Sequence, residues 1–497
     1  MGKEIKSKWI DMPIECVLAP NDKGVILGQG WSPQCEKQPS QSENDWGVLK
    51  TTAIQSGFFL EKENKLLPSH LEPRKQHEVR QGDLLITCAG PRNRCGVACL
   101  VRKTRKKLLL SGKMYRFRVN EQKAIPEFVE LFLLSQKAWK EIDKMKTGGS
   151  DSGLNLTHTR FKKLIVPIPP LPEQQAIVAK IEELLSELEN GKQQLLTAQQ
   201  QLKVYRQSLL KWAFEGKLTK SWREAKTDLP SEKDLQVQIE IGKNTFFQNQ
   251  LKEWEHNLKI WTDNGQVGKK PSKPKALTNP DKPNVEQNEQ KWNIPKNWIW
   301  SQMGTLCFVT KLAGFEYTDY VKYDDNGDLP VLKAENVGQL GFKKNVFSKV
   351  KTESIQMLTR SQLFGGELII VFVGAGTGNV AMVPFNHKYF LGPNIGMARP
   401  YFNINSKYLE LFYQSISGKN LMLSAVKAVA QPSLSMGTIR QTPIAFPSIE
   451  EQNKIVEELE SKLTICDKIE ETISQSLHQA ETLRQSILKK AFEGKLV

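Results

Sequence analysis

Two short stretches carry the side chains best suited to reading a polar ligand. Gly90-Pro-Arg-Asn-Arg94 follows a short apolar run. There Arg92 or Arg94 can offer two parallel N–H donors to guanine O6 and N7, and Asn93 can pair with adenine. Its counterpart is Gly374–Asn379, where Thr377 and Asn379 donate and accept. Gly374-Ala-Gly-Thr-Gly378 has the glycines of a dinucleotide loop, but Asn379-Val-Ala-Met-Val383 reads as strand where that motif needs a helix. Cys88, Cys95 and Cys99 lack a Cys-x-x-Cys spacing paired with His, so buried thiols are favoured over zinc. A nuclease-like pattern, Pro280-Asp281 and then Glu289-Gln-Lys291, lies in Pro-rich sequence with no rigid strands to hold a metal. No adenine-methyltransferase Asn-Pro-Pro-Tyr/Phe motif and no Gly-x-x-x-x-Gly-Lys-Ser/Thr phosphate loop occurs. The chemistry on offer is recognition, and no catalytic or metal-ligating set is assigned.

The charge balance points the same way. Lys+Arg 70 against Asp+Glu 54 gives +16, which favours an anionic partner, nucleic acid first. Ten cations and no acid fall between Asp83 and Glu121: Arg92, Arg94, Arg102, Lys103, Arg105, Lys106, Lys107, Lys113, Arg116 and Arg118. They read as phosphate contacts or as a solvated basic face. Further candidates are Lys50, Thr51 and Thr52, matched later by Lys333, Glu335 and Asn336, with Glu335 able to accept from cytosine N4. Late polar loops add Ser150, Ser152 and Asn155 in one half, Gln431 and Ser433 in the other.

An internal repeat must position these groups. Arg206-Gln-Ser-Leu-Leu-Lys-Trp-Ala-Phe-Glu-Gly-Lys-Leu218 returns as Arg484-Gln-Ser-Ile-Leu-Lys-Lys-Ala-Phe-Glu-Gly-Lys-Leu496, an offset of 278 that also aligns Glu173-Gln174 with Glu451-Gln452. Between these landmarks Ile177, Ile181, Leu184, Leu188, Leu195, Leu202 and Leu209 recur in steps of four and three, or multiples of them. Ile455, Leu459, Ile473, Leu483 and Ile487 keep that register in the second copy. Sustained heptads predict two helices of about 45 residues, ~65 Å each, packed on one another as a coiled coil. Upstream, Gln81-Gly-Asp-Leu-Leu-Ile86 resembles Gly365-Gly-Glu-Leu-Ile-Ile370, and Phe128-Val-Glu-Leu-Phe132 resembles Tyr408-Leu-Glu-Leu-Phe412. The expected order is a globular domain over 1–165, a helix over 166–218, a linker over 219–292, a second globular domain over 293–445 and a helix over 446–497. The linker should be partly helical around Trp222, Trp254 and Trp261, then extended through Pro271, Pro274, Pro280 and Pro283. An odd seven cysteines fits reduced thiols, and the lack of a long apolar run or export signal predicts a soluble, cytoplasmic protein.

Pro-Ile-Pro-Pro-Leu-Pro-Glu-Gln-Gln (167–175), the twice-used Ala-Phe-Glu-Gly-Lys-Leu and two divergent globular halves together resemble the specificity subunit of type I restriction-modification enzymes. The resemblance covers essentially the whole chain. It implies an α+β protein with a pseudo-two-fold repeat: two mixed α/β target recognition domains separated by two long helices in an antiparallel coiled coil. Each domain would read one half of a bipartite double-stranded DNA site. It implies no catalysis and no cofactor in this chain. The partners would be two copies of a methyltransferase (modification) subunit using S-adenosylmethionine, and a restriction/translocase subunit using ATP and Mg2+. The alternatives are a coiled-coil scaffold whose basic domains bind RNA or protein, and the recognition subunit of another bifunctional restriction system.

Overall fold

The structure is a computed structural model describing residues 9–40, 42–266, 270–278, 292–343, 346–356, 358–424 and 433–497. The chain divides into two units, Met1–Ala198 with Thr472–Val497, and Gln199–Glu471.

In the first unit, strand Ile10–Pro13 pairs antiparallel with Ile165–Ile168 and closes the globular part just before the first long helix. Its main sheet runs Ala98–Leu100, Leu84–Thr87, Met114–Val119, Leu18–Ala19. Leu84–Thr87 is buried along its whole length, so its sequence is a continuous apolar run rather than an alternation. A smaller sheet sets Leu108–Leu109 parallel to Gly47–Leu49, which also pairs antiparallel with Asn64–Leu66. Helix Pro126–Leu133 buries Phe128, Val129 and Phe132; the next helix, Gln136–Met145, is capped by the Ser135 hydroxyl, which accepts from the Ala138 N–H.

The second unit follows the same plan. Ile299–Gln302 pairs with Pro443–Phe446, and the main sheet runs Cys307–Lys311, Ile395–Pro400, Leu368–Val371, Val380–Met382. Leu329–Leu332 lies parallel to Tyr389–Leu391 and antiparallel to Ser348–Val350. Helices Ser406–Gln414 and Ile416–Leu423 follow. This unit also holds a helix, Glu232–Asp263, with no counterpart among the described residues of the first, opened by a reciprocal Ser231–Asp234 capping box. Gly242 lets that helix approach Phe402, whose ring lies 2.6 Å from where a Cβ would sit.

The long helices are Leu171–Phe214 and Ile449–Phe492, 44 residues each. In the first unit Ile177 and Ile181 share a core with Ile487, Leu488, Ala491 and Phe492. In the second, Leu202 and Leu209 meet Ile455 and Leu459. The start of each helix thus meets the end of the other, and the pair is antiparallel. Ile473 is buried, and Leu184, Leu188 and Leu195 are half-buried. Leu483 departs from the expected seam: it is 50% exposed. It lines a groove with Leu188 and Leu195, where Gly191, Ala198, Ser476 and Ala480 are too small to close the hole around it.

Both helix ends are built by the repeated phrases. The Gln174 side chain donates to the Pro169 carbonyl at 2.8 Å and accepts from the Ile125 N–H; Gln452 does the same with Pro447 and Asn405. Glu173 and Glu451 accept from the indole N–H of Trp9 and Trp298, at 2.9 and 2.8 Å. Gly216 (φ +71°) and Gly494 (φ +68°) turn the chain out of the helix in the left-handed conformation. Just before them, Phe214 packs edge-on against Tyr408 and Phe412, and Phe492 against Phe128 and Phe132. Each helix therefore leaves one globular part and ends on the core of the other. The helices begin later than 166 and 446, because Ile165–Ile168 and Pro443–Phe446 are paired strands; Pro167 and Pro443 sit in them without needing an N–H. Among the described residues, no helix is long and apolar enough to cross a membrane.

Candidate nucleic-acid interface

The first unit gathers three of the stretches singled out above. Ala89–Gly90 pairs with Leu154–Asn155, and the Arg92 N–H donates to the Asp151 carbonyl at 2.9 Å. Arg92 and Asn93 thus share a surface with Ser150, Ser152 and Asn155. Arg94 brings in the third stretch, since its guanidinium donates to the carbonyls of Thr51 and Ile54 and to Gln55 Oε1. In the second unit Val373 bridges to Ser433, joining the Gly374–Asn379 loop to the later polar loop. The framework bond is the same in both: Leu156 N–H to Cys88 C=O and Leu434 N–H to Phe372 C=O, each 2.8 Å. Gly96 and Gly378 end the two loops at positive φ, and a Cβ there would meet Ile142 and Leu423 at 2.6 and 2.8 Å. Gln431, Pro280, Asp281, Glu289 and Lys291 lie outside the described residues.

Several expected DNA-facing groups are spent within the fold. Arg94 turns inward, as above. Arg102 pairs with Glu130, whose side chain is buried. Arg116 and Arg118 pair with buried Asp83; Arg105 donates to the Asp45 carbonyl and the Ser40 hydroxyl. Lys107 reaches the Asn44 carbonyl at 2.8 Å and sits at φ +64°. Asn336 is 1% exposed, its Oδ1 accepting from the Lys333 N–H. Thr377 is buried, with its hydroxyl on the Gly374 carbonyl. Lys333 Nζ donates to the Ser348 hydroxyl and lies 4.4 Å from the Tyr323 ring centre. Lys50 and Thr52 both engage Glu63; the Thr52 hydroxyl first, then Lys50, holds that carboxyl below its usual range.

What remains at the surface is narrower. Arg92 is exposed, steadied by Asp143 at 2.7 Å and Asp151 at 3.0 Å, which reinforce its positive charge. Asn93, Ser150, Ser152, Asn155, Lys103, Lys106, Glu335 and Ser433 are exposed, with the two serines 3.0 Å apart. Asn379 accepts from Lys419 at 2.8 Å. Sequence reasoning passed over Asp143, Lys146 and Lys419. Lys146 holds the Arg92 carbonyl at 2.9 Å, and its place beside Thr147 was the available signal. Cys88 and Cys99 are free and buried, and burial pushes their thiols up to about 11 and about 12, so they fill the core as neutral groups.

The same polar framework recurs under both loops. Glu130 accepts from the Leu100 N–H at 2.7 Å and pairs with Arg102; Glu410 accepts from the Met382 N–H at 3.1 Å and pairs with Lys407. A sequence model of the type I restriction modification DNA specificity domain matches this chain twice, over residues 34–198 and 295–479. The chain belongs to that family. Among members of this specificity family, it is 40% identical over 174 residues to the type I restriction enzyme EcoEI specificity subunit of Escherichia coli, covering 35% of this chain. That match spans only 29% of the EcoEI subunit's length. With the EcoKI specificity subunit of Escherichia coli K12 it shares 23% over 496 residues, 98% of this chain and 90% of that one. Two solved chains share the fold at 16% identity. One, from a structure of complex assembly and conformational transition in the type I R-M system, superposes with TM-score 0.61 over 100% of both chains. The other, the HsdS subunit from Thermoanaerobacter tengcongensis, gives 0.54 over 98% of this chain and 97% of that one.

Proposed function

We propose that this chain is the DNA sequence-specificity subunit of a cytoplasmic type I restriction-modification complex, each unit's loop cluster reading one half of a bipartite duplex site. The observation that carries it is the duplicated specificity domain with its recognition loops hung from one shared framework. Family membership leaves the scaffold reading without support. Arg92 and Asn93 are the base-reading candidates of the first loop, and Asn379 with Ser433 those of the second. Lys103 and Lys106 supply phosphate contacts, which add affinity without sequence preference. The chain itself carries no methyl-transfer or cleavage chemistry. S-adenosylmethionine, ATP and Mg2+ are used by partner subunits, two of them copies of one methyltransferase.

Methylome sequencing of cells expressing the chain with its methyltransferase tests this. Methylation at a bipartite motif is expected, together with no methyl incorporation by the purified chain alone. A continuous motif, or methylation without a partner, would refute it.

A further inference from the structure

Arg92 leaves the first loop with its side chain exposed and its donors only partly engaged. Nε and Nη2 both donate to Asp151 Oδ1, at 3.2 and 3.0 Å, and Nη1 donates to Asp143 Oδ2 at 2.7 Å. A guanidinium has five N–H groups, so one remains on each terminal nitrogen. Two such donors are what guanine O6 and N7 accept. Asp143 is itself held. It stands in the last turn of helix Gln136–Met145, which Gly96 allows to lie against the loop. Lys146, at the helix end with a side chain 1% exposed, donates to Asp143 Oδ1 at 2.8 Å and to the Arg92 carbonyl at 2.9 Å. The Lys146 ammonium, with Arg92 behind it, keeps the Asp143 carboxyl below its usual range.

Stability does not account for this arrangement. The Arg92 side chain is 46% exposed and that of Asp151 76%, and ion pairs so open to water contribute little to folding. The loop backbone is fixed without them: the N–H groups of Arg92, Cys95 and Gly96 donate to the carbonyls of Asp151, Pro91 and Thr87. Phosphate binding does not account for it either. Arg92, Lys146, Asp143 and Asp151 sum to zero in a chain carrying +16, and two carboxylates beside a guanidinium repel a phosphate. They do not repel the neutral edge of a base. By fixing a long side chain beforehand they also remove part of the ordering cost of binding.

We infer that Asp143, Asp151 and Lys146 are positioning residues that aim Arg92 at a guanine of the first half-site. Arg92 then supplies sequence discrimination, and the affinity for the DNA backbone comes from elsewhere. The inference rests on the specificity-subunit reading, with Arg92 as a base contact, and adds what orients that contact and which base it meets.

The full chain assembled with its methyltransferase subunit tests it, by methylation of duplexes varied one base pair at a time and by binding to unrelated duplex across salt concentrations. Arg92→Ala should lose the preference at one G·C pair of the first half-site. Asp151→Ala should weaken the preference at that same pair about tenfold, with the melting temperature and the second half-site unchanged. It should also bind unrelated duplex more tightly, with a salt dependence steeper by up to ~0.9, because the released cation reaches a phosphate. Asp143→Ala should act in the same direction and lower the melting temperature as well, since the buried Lys146 loses its acid. Full preference in both aspartate variants, beside a relaxed Arg92→Ala, would overturn the positioning role. Relaxed preference with weaker binding to unrelated duplex would overturn it too, because a merely loosened loop behaves that way. A preference lost at an A·T pair would overturn the guanine. If Arg92→Ala relaxes no position, the reading of Arg92 as a base contact falls, and the inference with it.

Discussion

The two units share a framework and differ in their loops, and the difference separates residues that hold the fold from residues free to read a ligand. Glu130 and Glu410, Gln174 and Gln452, Phe492 and Phe214 perform matching tasks in the two units. The loops between them do not match. From Cys88 to Gly96 the first spans two residues more than the second, from Phe372 to Gly378, and it presents a guanidinium where the second presents an amide. Such loops can vary because the bonds at their roots are made by backbone groups and by side chains beneath them.

The largest effect expected from breaking this match is at the aromatic docking of the helix ends. Phe214→Ala and Phe492→Ala should each cost about 3–5 kcal/mol, the usual range for a buried Phe. Hydrogen exchange should locate the Phe492→Ala loss in the first unit, on helix Pro126–Leu133, and the Phe214→Ala loss in the second. Exchange confined to the C-terminal helix would contradict the docking. A smaller effect sharpens the division within one loop. Arg92→Ala should leave thermal stability unchanged and relax one base position of the first half-site, by about 1–3 kcal/mol of discrimination. Arg94→Ala should lower the melting temperature, because the carbonyls of Thr51 and Ile54 lose their donor. Equal loss of stability in both would mean that Arg92 too is structural. The smallest contrast is between the helix caps. Gly494→Ala should cost about 1–2 kcal/mol for the left-handed backbone. Gly216→Ala should exceed that by a few tenths or more, because its Cβ would fall 2.3 Å from Pro295 Cγ, whereas at 494 the nearest atom, on Trp9, is 3.8 Å away. Thermal melts of the two variants decide it.

The helices were legible because a heptad and a cap are local patterns. Ile177 to Leu209 could be read without knowing any distant partner. The polar framework was half legible: the phrases around Glu130 and Glu410 aligned, but that each carboxylate caps an edge strand depends on Leu100 and Met382, about thirty residues away in sequence. The basic stretch was the least legible. A run of cations without acids looks like an open phosphate-binding face, yet Arg102, Arg105, Arg116 and Arg118 meet partners 28 to 65 residues distant. Sheet pairing, rather than local composition, decides which guanidinium groups are spent. The same holds for Leu483, whose exposure follows from small residues across the helix pair.

The crossing of the helix ends has a consequence for synthesis. The second unit is one continuous segment, Gln199–Glu471, whereas the first also needs Thr472–Val497. Ile487, Leu488, Ala491 and Phe492 complete the first core, so the domain translated first is the last to close. At about 5–20 residues per second, the ribosome takes roughly 14–55 s to make the intervening 273 residues. For that interval Phe128 and Phe132 lack the ring that covers them. A chain cut short by a dozen residues would keep every residue of the 90–94 and 374–379 loops and still leave its first domain unfinished, open to proteases. The second long helix thus acts as a quality check on the domain made before it.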